Sequence, residues 1–148
     1  MDARSGTAAA KLWTRDVLVR FSHCDPAGIV YFARAFDILN EVVEDWFNDG
    51  LKLDYHDIVG RRRIGLGYAH AECDFAKPAT MGDVLAYAVG VERVGGKSLT
   101  LAITARRDGE EILKASLVIV TTDLTRHASM PIPDDVRKAV VAYQEKTA

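Results

Sequence analysis

Two periods of apolar spacing divide the chain. From Trp13 to His23, Val17, Val19 and Phe21 alternate with Leu18, Arg20 and Ser22, a period of two that predicts a strand with one face on a core. From Phe32 to Asn48 the spacing changes to three and four. Phe32, Ala35, Phe36, Leu39, Val42, Val43, Trp46 and Phe47 then form one broad apolar helical face, with Gly50 placed as a C-terminal cap. A short helical piece is predicted over Asp54 to Val59, before the basic triplet Arg61-Arg62-Arg63. From Ile64 to Phe75 small residues (Gly65, Gly67, Ala69, Ala71, Cys73) alternate with larger ones, so this predicted strand has a face with room for a helix to approach closely. Val84 to Val94, Ser98 to Arg107 and Glu111 to Asp123 predict three antiparallel strands. Gly95-Gly96 and Asp108-Gly109 join them as hairpin turns in which glycine supplies positive φ. Lys77-Pro78 and Gly82-Asp83 mark a further turn. Pro133 to Lys146 predicts a last short helix, with Pro133 in its first turn.

Strand, long helix, then four strands is not the alternation of a doubly wound α/β protein. The order predicts an α+β domain in which one antiparallel sheet curls around one long helix. Such a sheet leaves its other face and an edge strand available to a partner subunit. The length of 148 residues fits a single domain over 13–148, preceded by a loose tail at 1–12. No internal repeat is visible.

Charge and composition narrow the function. Nineteen Lys and Arg against twenty-one Asp and Glu leave a net charge of -2, so no global field draws in nucleic acid and any phosphate binding must be local. Cys24 and Cys73 are far apart and outside any Cys-x-x-Cys pattern, which argues against a zinc module or a disulfide scaffold and for a reduced, cytoplasmic protein. No apolar run approaches the roughly 20 residues of a membrane span, and "MDARSGTAAAK" lacks the apolar core of a signal peptide.

The stretch "HCDPAGIVYF" carries the main candidate chemistry. Pro26 disfavours the α region for Asp25, and Gly28 lets the backbone turn where a side chain would clash. Ile29, Val30 and Tyr31 are too apolar for an ordinary exposed loop, so the turn is expected to be packed. The helix after it offers unpaired N–H groups and a partial positive charge around Tyr31 to Arg34. A carboxylate beside such a helix end suits acyl transfer, with the amides stabilising an oxyanion. Most Asp-Pro pairs are simply turn or capping residues, and spacing alone leaves both roles open for Asp25. There is no Gly-x-Ser-x-Gly elbow, and His23, Cys24 and Asp25 are consecutive, so they cannot all face one metal. His56, His70 and His127 stand alone. For phosphate, Gly95-Gly96-Lys97-Ser98 places a cation and a hydroxyl just after a tight turn without being a Walker loop. Arg61-Arg62-Arg63 offers guanidinium groups to a more exposed phosphate, or is a solvated charged loop.

"DPAGIVYFARAFD" at the strand-to-helix junction, "DFAKPATMGD" after the second strand and "GGKSL" opening the fourth together resemble the 4-hydroxybenzoyl-CoA thioesterase family of hotdog-fold proteins. The resemblance runs from about Val17 to Pro133, and its most specific part is Asp-Pro-Ala-Gly-Ile-Val. It implies a five-stranded antiparallel sheet wrapped around one long helix, assembled as a homodimer or homotetramer with active sites at subunit interfaces. Asp25 matches the catalytic carboxylate, and the Phe32 backbone N–H matches the amide that polarises the thioester carbonyl. Lys97 and Ser98 match positions that approach the CoA phosphates. Asn40 stands where the 4-hydroxybenzoyl enzyme has an acid for the substrate phenol, which weakens the match for that substrate.

The implied activity is hydrolysis of an acyl-CoA to the free acid and CoA, without a bound cofactor or metal. Tyr31, Phe32 and Phe36 near Asp25 favour an aromatic acyl group over a short aliphatic one. Asp25 would attack the thioester or activate water, and an acid at a helix N-terminus is a weak base, which favours attack. The competing readings are a hotdog hydratase, whose acid and histidine motif is not found here, and a CoA-binding module that leaves thioesters intact.

Overall fold

The computed structural model describes residues 12–148; the tail predicted over 1–12 lies outside the described residues except for Leu12. Strand β1 (Trp13–Leu18) leads through a 3₁₀ turn (Phe21–His23) to helix α1 (Phe32–Asp45), which runs on as a π-helical turn over Trp46–Gly50. A second π turn (Asp57–Arg61) precedes β2 (Ile64–Phe75), β3 (Val84–Val94), β4 (Ser98–Arg107), β5 (Glu110–Asp123), the two-residue β6 (Ala128–Ser129) and helix α2 (Asp134–Thr147). The main sheet has the order β1-β3-β4-β5-β2 with antiparallel pairing throughout, and β6 adds to β5. This is the hotdog architecture expected: a curled antiparallel sheet with the long helix packed on it. No helix among the described residues is long and apolar enough to cross a membrane.

Periodicity explains the core. Ala35, Ile38, Leu39, Val42, Val43, Trp46 and Phe47 of the helical run are buried, and they meet the inner face of β4, where Leu99, Leu101, Ile103 and Ala105 are buried while the intervening residues are less so. The predicted apolar face therefore starts to bury at Ala35; Phe32, one turn earlier, is 64 % exposed. Helix α2 docks on β3 through Val136, Val140 and Tyr143. The Tyr143 hydroxyl donates to the Val89 carbonyl (2.5 Å) and accepts from the Trp13 N–H (2.8 Å).

Four local expectations change. The first strand ends at Leu18, because the Val19 N–H turns to the Asp83 carbonyl (2.8 Å) and Phe21 to His23 form a turn. Gly50 is not a left-handed cap. A Cβ there would lie 2.7 Å from Trp46 Cδ1 and 3.3 Å from Trp13 Cγ, so glycine is needed for close packing, and positive φ falls at Lys52 instead. Gly95 and Gly96 make their turn without positive φ, unlike Asp108 (φ 52°) and Gly109 (φ 82°). Finally, β2 carries a bulge between Tyr68 and His70. One extra residue reverses which parity faces the helix: Leu66 is buried before the bulge, whereas Cys73 packs against the core after it. From Gly67 onward β2 is largely exposed.

Candidate active site

Asp25 organises the turn between β1 and α1. Its N–H donates to the Ile29 carbonyl (3.0 Å), and its carbonyl accepts from the Gly28 N–H (2.9 Å). Oδ1 accepts from the N–H groups of Ala27 (2.9 Å) and Ile29 (3.4 Å). Gly28, at φ +79°, adopts a conformation that a side chain would strain. Asp25 is thus a turn residue through one oxygen. That anchoring fixes the plane of the carboxylate and leaves Oδ2 without a hydrogen-bond partner among the described residues, so the turn role and a chemical role are compatible.

The turn is packed through Val30 and, in part, Ile29, as expected, whereas Tyr31, expected to pack with them, is 47 % exposed. Cys24 bridges to Val30 and Ile29 to Thr80; the Val30 N–H donates to the Ala79 carbonyl (2.8 Å), and the Met81 N–H to the Gly28 carbonyl (2.9 Å). The supporting loop, residues 76–83, is itself clamped by Asp83. Its carboxylate accepts from the Thr80 N–H (2.9 Å), the Thr80 hydroxyl (2.7 Å) and the Arg107 guanidinium (2.6 Å). The Thr80 donors first, and Arg107 after them, hold the Asp83 carboxyl below its ordinary range. This clamp was not legible in the sequence, where Asp83 and Arg107 are far apart and only the turn at Gly82-Asp83 stood out.

Helix α1 begins beside the Asp25 turn. The N-cap Tyr31 makes no side-chain cap, and the first turn contains no acid. The Arg34 and Ala35 N–H groups donate to the Tyr31 carbonyl, whereas those of Phe32 and Ala33 precede any helical carbonyl they could reach. They are donors at the positive end of the helix dipole. An apolar groove of about 290 Å³ opens at this junction, lined by Ile29, Val30, Phe32, Phe75 and Ala79 with Lys77 at its rim. The rings of Tyr31 and Phe32 lie 5.0 Å apart. A carboxylate oxygen, free amides and an apolar groove together form an arrangement suited to acyl transfer.

The other predicted residues are distributed unevenly. Asn40 lies two turns along α1, where its Oδ1 accepts from the Tyr68 hydroxyl (2.8 Å). Tyr68 had no sequence signal beyond its place among the larger residues of its strand. Lys97 and Ser98 open β4, whereas Arg107, which touches the Asp83 loop, closes it, so about 30 Å of strand separates them from the Asp25 end. Lys97 is exposed and donates only a long bond to the Ser129 hydroxyl (3.4 Å). Arg61 and Arg62 share that far end and are both engaged by carboxylates of the same chain. Arg61 pairs with Asp57 (2.5 and 2.9 Å) and Arg62 with Asp135 (2.8 and 3.0 Å). Within one chain, Tyr31 and Phe32 accompany Asp25, and the four candidate phosphate residues do not. Among the described residues no three His, Cys, Asp or Glu side chains are grouped as a metal site would require.

Known proteins share this fold. A family profile described as the Thioesterase-like superfamily matches residues 19–140. A 1,4-dihydroxy-2-naphthoyl-CoA hydrolase of Acaryochloris marina is 29 % identical over 128 residues, covering 84 % of this chain and 91 % of that protein. Among solved structures, a 1,4-dihydroxy-2-naphthoyl-CoA thioesterase from Synechocystis superposes with a TM-score of 0.78 at 22 % identity, covering 87 % of this chain and 95 % of the other. A gentisyl-coenzyme A thioesterase superposes with a TM-score of 0.79 at 23 % identity, covering 86 % and 99 %. With most of its length matched, the chain belongs to the thioesterase-like superfamily of hotdog-fold thioester hydrolases.

Proposed function

We propose that the protein hydrolyses an aromatic acyl-CoA to the free acid and CoA. The observation that carries this reading is the junction itself: the turn anchored by Asp25, with one carboxylate oxygen left unpaired among the described residues, hydrogen-bonds to Ile29, which with Phe32 of the helix start lines an apolar groove. The thioester carbonyl oxygen accepts from the Phe32 N–H, and Asp25 Oδ2 attacks the carbonyl carbon. The C–S bond breaks as the tetrahedral oxyanion collapses, CoA leaves as its thiolate, and water then hydrolyses the resulting mixed anhydride, regenerating the carboxylate. Asp25 acting as a general base on water would use the same geometry. Water is the only co-reactant, so the chemistry needs no bound cofactor or metal. The aromatic preference is supported by Phe32 and Phe75 in the wall of the groove and by the naphthoyl-CoA names of the relatives. The 4-hydroxybenzoyl group is one member of the class we propose.

The working unit we infer is a homodimer, or a homotetramer built from dimers. Strand β2 is an edge, exposed beyond Gly67, and a second β2 paired antiparallel about its middle would bring the partner's Ile64 end to this chain's Phe75 end. Such pairing would turn the partner subunit's Lys97 and the partner subunit's Ser98, with the partner's Arg61 and the partner's Arg62 nearby, towards this chain's groove, where the CoA phosphates need cations. Two free thiols, Cys24 and Cys73, fit a reducing, cytoplasmic setting. A panel of aryl and aliphatic CoA thioesters tests the substrate class: aryl esters should show the higher kcat/KM. A clear preference for short aliphatic esters would contradict the aromatic reading, and binding without turnover would make the protein a CoA-binding module.

A further inference from the structure

The Asp25 turn has a counterpart on the far side of the short ladder that supports it. Ile29 and Thr80 face each other as an antiparallel bridge. The hydrogen bonds of that bridge lie to either side of the pair, from the Val30 N–H to the Ala79 carbonyl and from the Met81 N–H to the Gly28 carbonyl. The backbone groups of a pair so placed point away from each other. Those of Ile29 turn to Asp25: its carbonyl accepts from the Asp25 N–H (3.0 Å), and its N–H donates to Asp25 Oδ1 (3.4 Å). Those of Thr80 turn to Asp83 in the same way. The Asp83 N–H donates to the Thr80 carbonyl (3.0 Å), and the Thr80 N–H donates to Asp83 Oδ2 (2.9 Å).

The two acids differ in what else they hold. Asp83 Oδ2 also accepts from the Thr80 hydroxyl (2.7 Å) and from Arg107 (2.6 Å), the last residue of β4. Asp25 holds two amides on Oδ1, the Ile29 one at the long limit of a hydrogen bond, and its Oδ2 has no partner among the described residues. The Asp83 end of the ladder is therefore fixed to the sheet, and the other end carries the acid with a free oxygen. A small shift at Thr80 passes through the two short rungs to Ile29, where the 3.4 Å contact is the first to be lost.

We propose that Thr80, held by Asp83 and Arg107, is a positioning residue that sets the orientation of the Asp25 carboxylate towards the thioester; this rests on the hydrolase reading in which Asp25 acts on that bond. The rungs and the Thr80 N–H are backbone groups that almost any residue supplies, so the hydroxyl is the part of the clamp that depends on the side chain at 80. Losing it leaves the ladder paired and loosens the aim of the acid. Misorientation of a reacting group costs rate rather than binding.

A double-mutant cycle with benzoyl-CoA, read by steady-state and single-turnover kinetics, tests this. Thr80→Val, equal in shape but without the hydroxyl, should lower kcat roughly tenfold and leave KM within about twofold. Thr80→Ser should restore most of the loss. In an Asp25→Asn background the same Thr80→Val change should alter the residual rate by less than about twofold, because no reacting carboxylate is left to misplace. An equal fall in both backgrounds, which is what a merely structural role gives through the folded fraction, overturns the proposal, as does an unchanged kcat in Thr80→Val. If Thr80→Val does not fold, Arg107→Gln removes the outermost link, keeps the hydroxyl, and decides the same cycle by the same two patterns. Asp25→Asn as fast as the parent, or a parent that turns over no thioester, would defeat the hydrolase reading itself, and the proposal with it.

Discussion

The two ends of β4 show the molecule's division of labour. At its Arg107 end, paired backbone turns and the Asp83 clamp hold one carboxylate and one helix N-terminus beside an apolar groove, and the nearby cations Arg107 and Lys77 are tied to Asp83 and Glu110. At its Ser98 end cations are plentiful; Arg61, Arg62 and Arg137 are bound to groups of their own chain, whereas Lys97 makes one long bond to Ser129. In the function proposed above, one end would act on a carbonyl and the other would meet a phosphate. A CoA thioester carries both groups. If the exposed edge at β2 joins two chains as proposed, the difference between the ends teaches that each chain would supply half of two sites.

Removing the acid should have the largest effect. Asp25→Asn keeps an oxygen to accept from Ala27 and Ile29, so the turn survives while the chemistry is lost, and kcat should fall by about 10²- to 10⁴-fold. Single-turnover hydrolysis of an aryl-CoA checks this; a rate equal to the parent's would remove Asp25 from the site. At the other end, Lys97→Glu should raise KM roughly tenfold with a much smaller change in kcat, because a phosphate contact is made equally in the ground and transition states. That effect should shrink as salt is added, and an unchanged KM would leave the phosphate end without its cation.

How legible these ends were differs for physical reasons. The helix from Phe32 and the strands of the sheet follow from apolar period, and the Asp25 turn from Pro26 and Gly28, because these are local preferences. The bulge at Ala69 is not local: small and large residues alternate straight through it, and only pairing with β5 shows that the parity reverses and aims Tyr68 at Asn40. The Asp83–Arg107 clamp likewise joins residues 24 apart in sequence. Gly50 was legible as a special position, but for the wrong reason, since its need for glycine comes from the Trp46 and Trp13 rings.

The smallest expected effect concerns the clamp. Asp83 has a depressed pKa in the folded state, so its contribution to stability is present above the unfolded value of about 3.8 and is lost as pH falls through the lower folded value. Asp83→Asn should therefore lower Tm by a few degrees at neutral pH, with the gap to the parent closing in strong acid. Thermal unfolding at pH 7 and pH 2 measures it, and a gap that stays constant would assign the clamp's effect to something other than the charge.

Mixing the two end variants tests the shared site most directly. Asp25→Asn spoils one end and Lys97→Glu the other, so a dimer carrying one chain of each has one intact site if the ends come from different chains. Co-expressed in equal amounts and assayed below KM, the pair should recover about a quarter of the parent activity, because half of randomly paired dimers are mixed and one of their two sites is whole. A mixture showing only the average of its two parents would contradict the account and place each complete site within a single chain.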